Sequence, residues 1–174
     1  VRDTATAEMA VQAALTGHLV FSTLHTNDAP SAVSRLMELG VPPYLINATL
    51  LGVLAQRLVR VLCPQCKQPD PDTSSDMLVQ AMHPWKFNGQ ATPYRPVGCE
   101  ACRMTGFRGR MGLYELLVCS DSLRQQIHQS PAMETLRRQA VQDGMRPLRV
   151  SGVLRVAEGQ TTLAEVLAAT PPLH

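Results

Sequence analysis

Two Cys-x-x-Cys pairs constrain this chain more than any other feature of its sequence. One pair is Cys63 and Cys66, and the other is Cys99 and Cys102. Two residues between cysteines let both thiolates reach one tetrahedral ion, and two such pairs supply four ligands. Because four thiolates leave no open coordination position, the spacing predicts a structural zinc ion that closes the intervening loop. A redox-active Cys-x-x-Cys pair is the alternative use of either motif.

The composition narrows the class of protein. Hydrophobic residues make up 45% of the 174 residues, and the net charge of +2 is too small to favour nucleic acid or a membrane surface. Five cysteines fit a reducing compartment better than a disulfide-bonded one, and Cys119, which follows three apolar residues, is predicted to lie in the core. The most apolar run, residues 44–61, contains two arginines. It therefore predicts a buried amphipathic helix over residues 45–58, not a membrane span.

Local patterns in the first forty residues predict a helix, a strand and a second helix. Asp3 is a suitable cap for a helix over residues 6–15. Residues 19–24 are apolar and β-favouring, which predicts a buried strand. Asn27 or Asp28 would cap the next helix, which a proline in its first turn also favours. Helix, strand and helix in this order indicate an α/β sheet.

A polar cluster, residues 25–28, follows the predicted strand. In open α/β sheets, ligands bind just beyond the carboxyl ends of the strands. A ring nitrogen of His25 placed there could donate to a phosphate oxygen, and the N-terminus of the following helix would add a favourable dipole. The alternative is a structural histidine whose hydrogen bonds are satisfied by its neighbours.

The remaining segments carry no catalytic constellation. Residues 68–97, between the cysteine pairs, predict a projecting insert with one short helix. Glycines and arginines interleave over residues 103–112, which fits either a phosphate- or nucleic-acid-binding loop or a structural turn. Residues 111–118 predict a strand. Four short helices follow, with predicted starts at Ser120 or Asp121, at Ser130-Pro131, near Leu148, and at Thr161 or Thr162, where Glu165 completes a capping-box pattern.

Several motifs, in the same order, resemble the secretion ATPases, which are the motors of type II secretion and of type IV pilus assembly and retraction. Residues 13–18 and 22–29 resemble the histidine box of that family, and residues 1–4 resemble the tail of its Walker B segment. The similarity continues through residues 56–60 (Gln-Arg-Leu-Val-Arg), the two cysteine pairs and residues 106–115. The family's retraction motors lack the paired cysteines, so the resemblance points to the assembly and export branch.

The resemblance implies an α/β fold, the C-terminal part of a RecA-like P-loop NTPase domain with an inserted tetracysteine zinc domain. The expected bounds are 1–61 for the ATPase part, 62–105 for the zinc-binding subdomain and 106–174 for a mostly helical subdomain. No Gly-x-x-x-x-Gly-Lys-Ser/Thr phosphate loop occurs in the sequence. That loop and the Walker B acid are expected upstream, so this fragment alone is predicted not to hydrolyse ATP.

The resemblance also implies that ATP and Mg²⁺ bind the full-length protein. His25 matches the histidine of the box and is expected to be catalytic, as a sensor of the γ-phosphate. Arg2, Thr23 and Arg57 are expected to bind the nucleotide with it. His18, at the other end of the predicted strand, is expected to cap or pack.

The function that the resemblance implies is that of a cytoplasmic homo-hexamer, peripheral on the inner membrane. ATP hydrolysis would turn a membrane-embedded platform protein and so extrude a pseudopilus or a pilus. The other expected partner is the protein that recruits the motor to the membrane, and nucleic acid is not expected. Type II secretion is favoured over type IV pilus assembly, which carries the same motifs.

The alternative from a different class is a zinc-ribbon module that binds nucleic acid. It would use the four paired cysteines to fold and the arginine-rich loop, residues 103–112, to bind. An aromatic content of 4% is thin for base stacking. Salt-sensitive binding to DNA or RNA would revive this alternative.

Overall fold

A computed structural model describes residues 1–86, 89–129 and 132–173 as a mixed α/β protein. Backbone packing divides the chain into two compact units, Val1–Ala55 with Glu115–Arg146, and Gln56–Tyr114 with Pro147–His174. The last of the three segments expected from the sequence, 106–174, contributes to both units. The three-segment division stays a prediction. Within the described ranges, no helix combines the length and the apolar character needed to cross a membrane.

The first unit is mostly helical. Its helices are α1 (Thr4–Leu15), α2 (Ala29–Glu38), α3 (Pro43–Thr49), α5 (Asp121–His128) and α6 (Met133–Gln142). Helix α3 packs against α1 and α5, while α2 packs against α6. The core consists of fully buried aliphatic side chains, among them Val33, Ile46, Leu117, Leu123, Ile127 and Leu136.

The second unit contains the cysteine pairs and the last two helices. Its helices are α4 (Ser75–Met82), α7 (Leu148–Ala157) and α8 (Leu163–Ala169), and a short antiparallel sheet pairs β2 (Gln68–Pro69) with β3 (Tyr94–Arg95). Helix α7 packs against α4 on one side and α8 on another. Gly152 permits the second contact, because a Cβ there would lie 2.5 Å from a methyl carbon of Val166. The helix of the insert, α4, is therefore packed on α7 within its own unit.

Two long strands, β1 (Gly52–Leu62) and β4 (Phe107–Val118), pair with each other. The predicted long helix over residues 45–58 is therefore wrong: α3 ends at Thr49 and β1 begins three residues later. Branched side chains at Val53, Val59 and Val61 favour an extended backbone once a partner strand is present. Exposed and less exposed residues alternate along β1, with the two-residue period of a strand. The sequence did not show this period, because most residues on both faces are apolar.

The predicted buried strand over residues 19–24 is also wrong for the described chain. Residues 18–26 have no regular secondary structure, and Leu19 and Phe21 are 67% and 88% exposed. A strand needs a neighbour for its backbone groups. Among the described residues no strand lies beside this segment, although the amino group of Val1 donates to the Thr23 carbonyl at 2.7 Å.

The helix starts predicted from capping residues are largely confirmed. Asp3, Asp28, Ser120 and Thr162 each accept a hydrogen bond from the backbone amide three residues on. The strand over residues 111–118 forms the latter part of β4. The predicted start at Ser130-Pro131 lies outside the described residues.

The capping-box prediction at α8 is half correct. Thr162 accepts from the Glu165 amide, but the Glu165 carboxylate accepts from the Arg60 backbone and, at 2.6 Å, from its guanidinium. Arg60 also lies over the Phe107 ring, 4.1 Å from its centroid. The residue is therefore part of the packing of the second unit, as an ion pair and a cation–π contact.

Candidate metal centre and histidine loop

The four paired cysteines converge on one point. Their sulfur atoms all lie within 4.8 Å of one another. The Cys63–Cys99 and Cys66–Cys102 sulfur pairs are 3.9 Å apart, and the Cys99–Cys102 pair is 3.8 Å apart. A tetrahedron with zinc–sulfur bonds of about 2.3 Å has edges of about 3.8 Å. The cluster therefore has the dimensions of a zinc–thiolate site, and its thiols are all free of disulfide bonds.

Backbone amides point at the sulfur atoms. Cys102 receives hydrogen bonds from the amides of Cys99 and Gly106, each at 3.2 Å, and Cys66 receives one from the amide of Gly98 at 3.3 Å. Burial opposes ionisation of Cys102, but the two amides, together with the thiols of Cys99 and Cys66, lower its pKa to about 6. Burial and the neighbouring thiols raise the pKa of Cys66 to about 11. The backbone amides therefore favour a thiolate at Cys102, and a cation would be needed to hold four thiolates together.

Gly106 joins the two cysteine knuckles. Its amide donates to the Cys102 sulfur, and its carbonyl accepts from the Cys63 amide at 2.9 Å. Its φ of +75° favours glycine, and a Cβ would lie 2.4 Å from the Pro96 side chain. The sequence left two roles open for the arginine-rich loop, ligand binding or a structural turn. Gly106 has the structural role. The loop's three arginines, Arg103, Arg108 and Arg110, are exposed.

The histidine loop, defined here as residues 25–28, lies in the first unit. His25 is exposed, and within the described ranges it makes no hydrogen bond. It therefore differs from the satisfied structural histidine that was the alternative. His18 does match its expected role, because its Nδ1 lies 3.0 Å from the Thr16 hydroxyl and 3.3 Å from the Ala13 carbonyl at the end of α1.

The N-terminus of α2 already carries carboxylates. Asp28 accepts from the Ser31 amide at 2.9 Å and from the Ser31 hydroxyl, and Glu115 accepts from the Ala29 amide at 2.7 Å. Arg137 donates to the other Asp28 oxygen at 2.6 Å. The Ala29 and Ser31 amides at this helix terminus are therefore occupied by the protein's own anions, and a dipole contribution to phosphate binding stays a prediction.

Sequence reasoning missed Glu115 and Arg137. Glu115 is only 3% exposed and takes a buried register of β4, between the fully buried Leu113 and Leu117. The sequence did contain a signal for Glu115, because it lies on the apolar face of a predicted strand. A buried carboxylate needs a hydrogen-bond donor beside it. Arg137 carried no such signal, since most helix-borne arginines are exposed.

The other predicted nucleotide-binding residues are distributed over both units. Arg2 and Thr23 are exposed in the first, where the Val1 amino group also lies 3.0 Å from the Ser22 hydroxyl. Arg57 belongs to β1 in the second unit, and its guanidinium donates to the adjacent Gln56 carbonyl at 2.9 Å. Their binding of nucleotide stays a prediction.

The Asp28 contacts predict a pH-dependent stability. Burial raises the pKa of Asp28, but the Ser31 donors and Arg137 outweigh it and hold the pKa below its usual value. A lowered pKa stabilises the fold above the unfolded pKa of about 3.9, and this gain is lost as the pH falls through the folded pKa. Asp28→Asn should therefore lower the free energy of unfolding, measured by urea denaturation at pH 7, by about 1–3 kcal/mol. The loss should be smaller below pH 4. A deficit that is constant with pH would contradict this assignment.

Comparison with protein families gives a match across nearly the whole chain. The model of the family described as type II/IV secretion system protein matches residues 1–168. That span includes the histidine loop, both cysteine pairs, and α7 with all but the last residue of α8. The match therefore does not depend on the cysteine cluster alone.

Relatives of established name come from both kinds of machinery. The type IV pilus assembly ATPase TfpB of Acinetobacter baylyi is 48% identical over 98% of this chain, and the type II secretion system ATPase E of Vibrio cholerae is 45% identical over 98%. The chain spans only 29% of the first and 33% of the second. The type II secretion system protein E of Aeromonas hydrophila is also 45% identical. The extent of these matches shows that the chain belongs to the type II/IV secretion system protein family.

Proposed function

We propose that this chain is the C-terminal part of a RecA-like hexameric motor ATPase that powers type II protein secretion by assembling a pseudopilus. The observation that carries the proposal is the family match over residues 1–168, together with identities of 45–48% to secretion and pilus ATPases. It favours a motor over the zinc-ribbon module that binds nucleic acid. The chain spans a third or less of these relatives, so the activity belongs to a longer protein.

Type IV pilus assembly is the second candidate. Its specific support is the similarity to the pilus assembly ATPases of Acinetobacter baylyi and Myxococcus xanthus, at 48% and 45% identity. Deletion of the gene distinguishes the two systems. Loss of exported enzymes with normal surface pili supports secretion, and loss of pili with normal export supports pilus assembly.

Two ligands follow from the proposal. The four cysteines of the metal centre would hold one Zn²⁺, which supplies a cross-link and no open coordination position. ATP and Mg²⁺ would bind mainly to the phosphate loop of the full-length protein, with His25 reaching the γ-phosphate from the histidine loop. His25 would serve as a hydrogen-bond donor, for which its exposure and lack of a described partner suit it.

The expected setting is cytoplasmic, with the protein peripheral on the inner membrane as a homo-hexamer. A membrane-embedded platform protein would receive the motion, and a recruiter protein would hold the motor at the membrane. Family membership is what supports this assignment.

The lack of a phosphate loop in this sequence predicts a difference in ATP hydrolysis between this chain and the full-length protein. The full-length protein should hydrolyse ATP, whereas the purified 174-residue chain should not, because it has nothing to cradle the β- and γ-phosphates. Phosphate release by both proteins at saturating ATP is the measurement. Turnover by the chain at the rate of the full-length protein, after removal of contaminants, would contradict the domain content proposed here.

A further inference from the structure

The segment that follows His25 is held by two residues far from it in sequence. Glu115, on β4, accepts a hydrogen bond from the Ala29 amide at 2.7 Å. Arg137, on α6, donates to the Asp28 carboxylate at 2.6 Å. Both contacts lie inside the first unit; Glu115 and Asp28 are buried, and the Arg137 side chain is 26% exposed. The first turn of α2 is therefore fixed to two elements of the core.

The Asp28 carboxylate connects this anchor to the loop itself. One oxygen accepts from the Ser31 amide and hydroxyl, and the other accepts from Arg137. The Asp28 carbonyl accepts in turn from the Thr26 hydroxyl at 3.1 Å. Charge-assisted bonds of this kind have narrow geometry. Together with the Thr26 bond, they help to hold the backbone at residues 26 and 28, immediately after His25, against the first turn of α2.

His25 has no comparable anchor of its own. It is exposed, residues 18–26 have no regular structure, and the described residues offer its ring no hydrogen bond. Its orientation therefore depends on the backbone to either side of it, and residues 26–29 on the C-terminal side are held by the contacts above. We infer that Glu115 and Arg137 are positioning residues for His25, which they orient through the first turn of α2. The inference rests on the proposed role of His25 in ATP hydrolysis.

The chain offers a matched control on the same helix. Arg138 neighbours Arg137, but its guanidinium pairs with Glu134 one turn away, and both side chains are at least 67% exposed. An exposed pair of this type contributes little to stability. Arg138→Met removes the same charge as Arg137→Met from α6 without touching the histidine loop.

The test measures ATP hydrolysis by the full-length protein. Glu115→Ala and Arg137→Met should lower kcat about 10- to 100-fold, the range for a misplaced catalytic group, with KM for ATP within about twofold. Glu115→Gln keeps an acceptor for the Ala29 amide and should stay within about fivefold of the unsubstituted protein. Arg138→Met should leave kcat unchanged.

Combination with His25→Ala separates positioning from a general structural effect. If Glu115 and Arg137 act through His25, their substitution in the His25→Ala protein should change kcat by less than about twofold. The same loss in both backgrounds would overturn the inference. If Glu115→Ala does not fold, Glu115→Gln and Arg137→Met carry the comparison.

Hydrogen exchange gives a readout that does not depend on activity. Mass spectrometry on the full-length protein should show faster amide exchange over residues 25–31 in Arg137→Met and Glu115→Ala, and no change in Arg138→Met. Unchanged exchange in all three would overturn the inference. If His25→Ala hydrolyses ATP normally, the proposed role of His25 fails, while faster exchange still supports an anchored loop.

Discussion

Protein carrying Cys99→Ser is expected to purify without zinc, whereas the unsubstituted protein should contain about one zinc per chain. The substitution removes one of four sulfur atoms whose spacing matches a tetrahedral site. Binding of zinc by sites of this type is worth about 10–16 kcal/mol and is coupled to local folding. Elemental analysis of protein prepared without added metal is the measurement.

Cys119→Ser is the matched control, because Cys119 is also buried and free but lies outside the cluster. It should keep its zinc. A metal-free unsubstituted protein with an intact insert would exclude the zinc centre and leave redox chemistry as the use of the pairs. Loss of zinc from Cys99→Ser and from Cys119→Ser alike would mean that general unfolding, not ligand removal, releases the metal.

The consequences of zinc loss should extend through the second unit. Lys67, next to Cys66, donates to the Gly159 carbonyl at 2.7 Å and lies over the Tyr94 ring. Leu62, next to Cys63, donates its amide to the Gln160 carbonyl at 2.9 Å. Both contacts reach the turn between α7 and α8. Chelation should therefore expose that turn as well as residues 96–106 to protease, because the knuckle holds both in place.

The full-length protein carrying His25→Ala is expected to hydrolyse ATP about 10- to 100-fold more slowly at saturating substrate. A hydrogen bond to a charged oxygen contributes about 1.5–3 kcal/mol, and a bond that strengthens as charge develops affects kcat. Zinc content and oligomeric state should not change, since His25 is exposed and is not one of the four clustered cysteines. Steady-state rates with melting temperatures provide the measurement.

His18→Ala serves as the comparison from the same box. His18 contacts Thr16 and Ala13 at the end of α1, so its loss should lower the melting temperature more than the rate. Normal hydrolysis by His25→Ala would remove the sensor role, whatever the result for His18. Equal rate losses in the two variants would indicate that the box acts through its fold and not through one ring.

Features that depend on neighbours a few residues apart were predictable from the sequence. Asp3, Asp28, Ser120 and Thr162 cap helices because each side chain needs only an amide three residues on. Each Cys-x-x-Cys pair likewise brings its two thiolates together locally. The two pairs were predicted to meet because one tetrahedral ion needs four ligands. The observed cluster of four sulfur atoms confirms that they meet.

The sequence alone gave wrong secondary structure for two apolar runs. Two apolar runs, residues 19–24 and 45–58, were predicted as strand and helix, and the structure has an irregular segment in the first and a helix followed by a strand in the second. Composition does not say which run has a partner. Strand β1, which ends at Leu62, is extended because it pairs with β4, which begins only at Phe107.

By itself the sequence determined the helix caps, the paired cysteines and the family, since these rest on side-chain identity at short spacing. Only the tertiary structure decided that Glu115 and Arg137 hold the first turn of α2. The physical reason is that a buried charge selects its partner by proximity in space. Contacts across 86 and 109 residues leave no mark in local spacing.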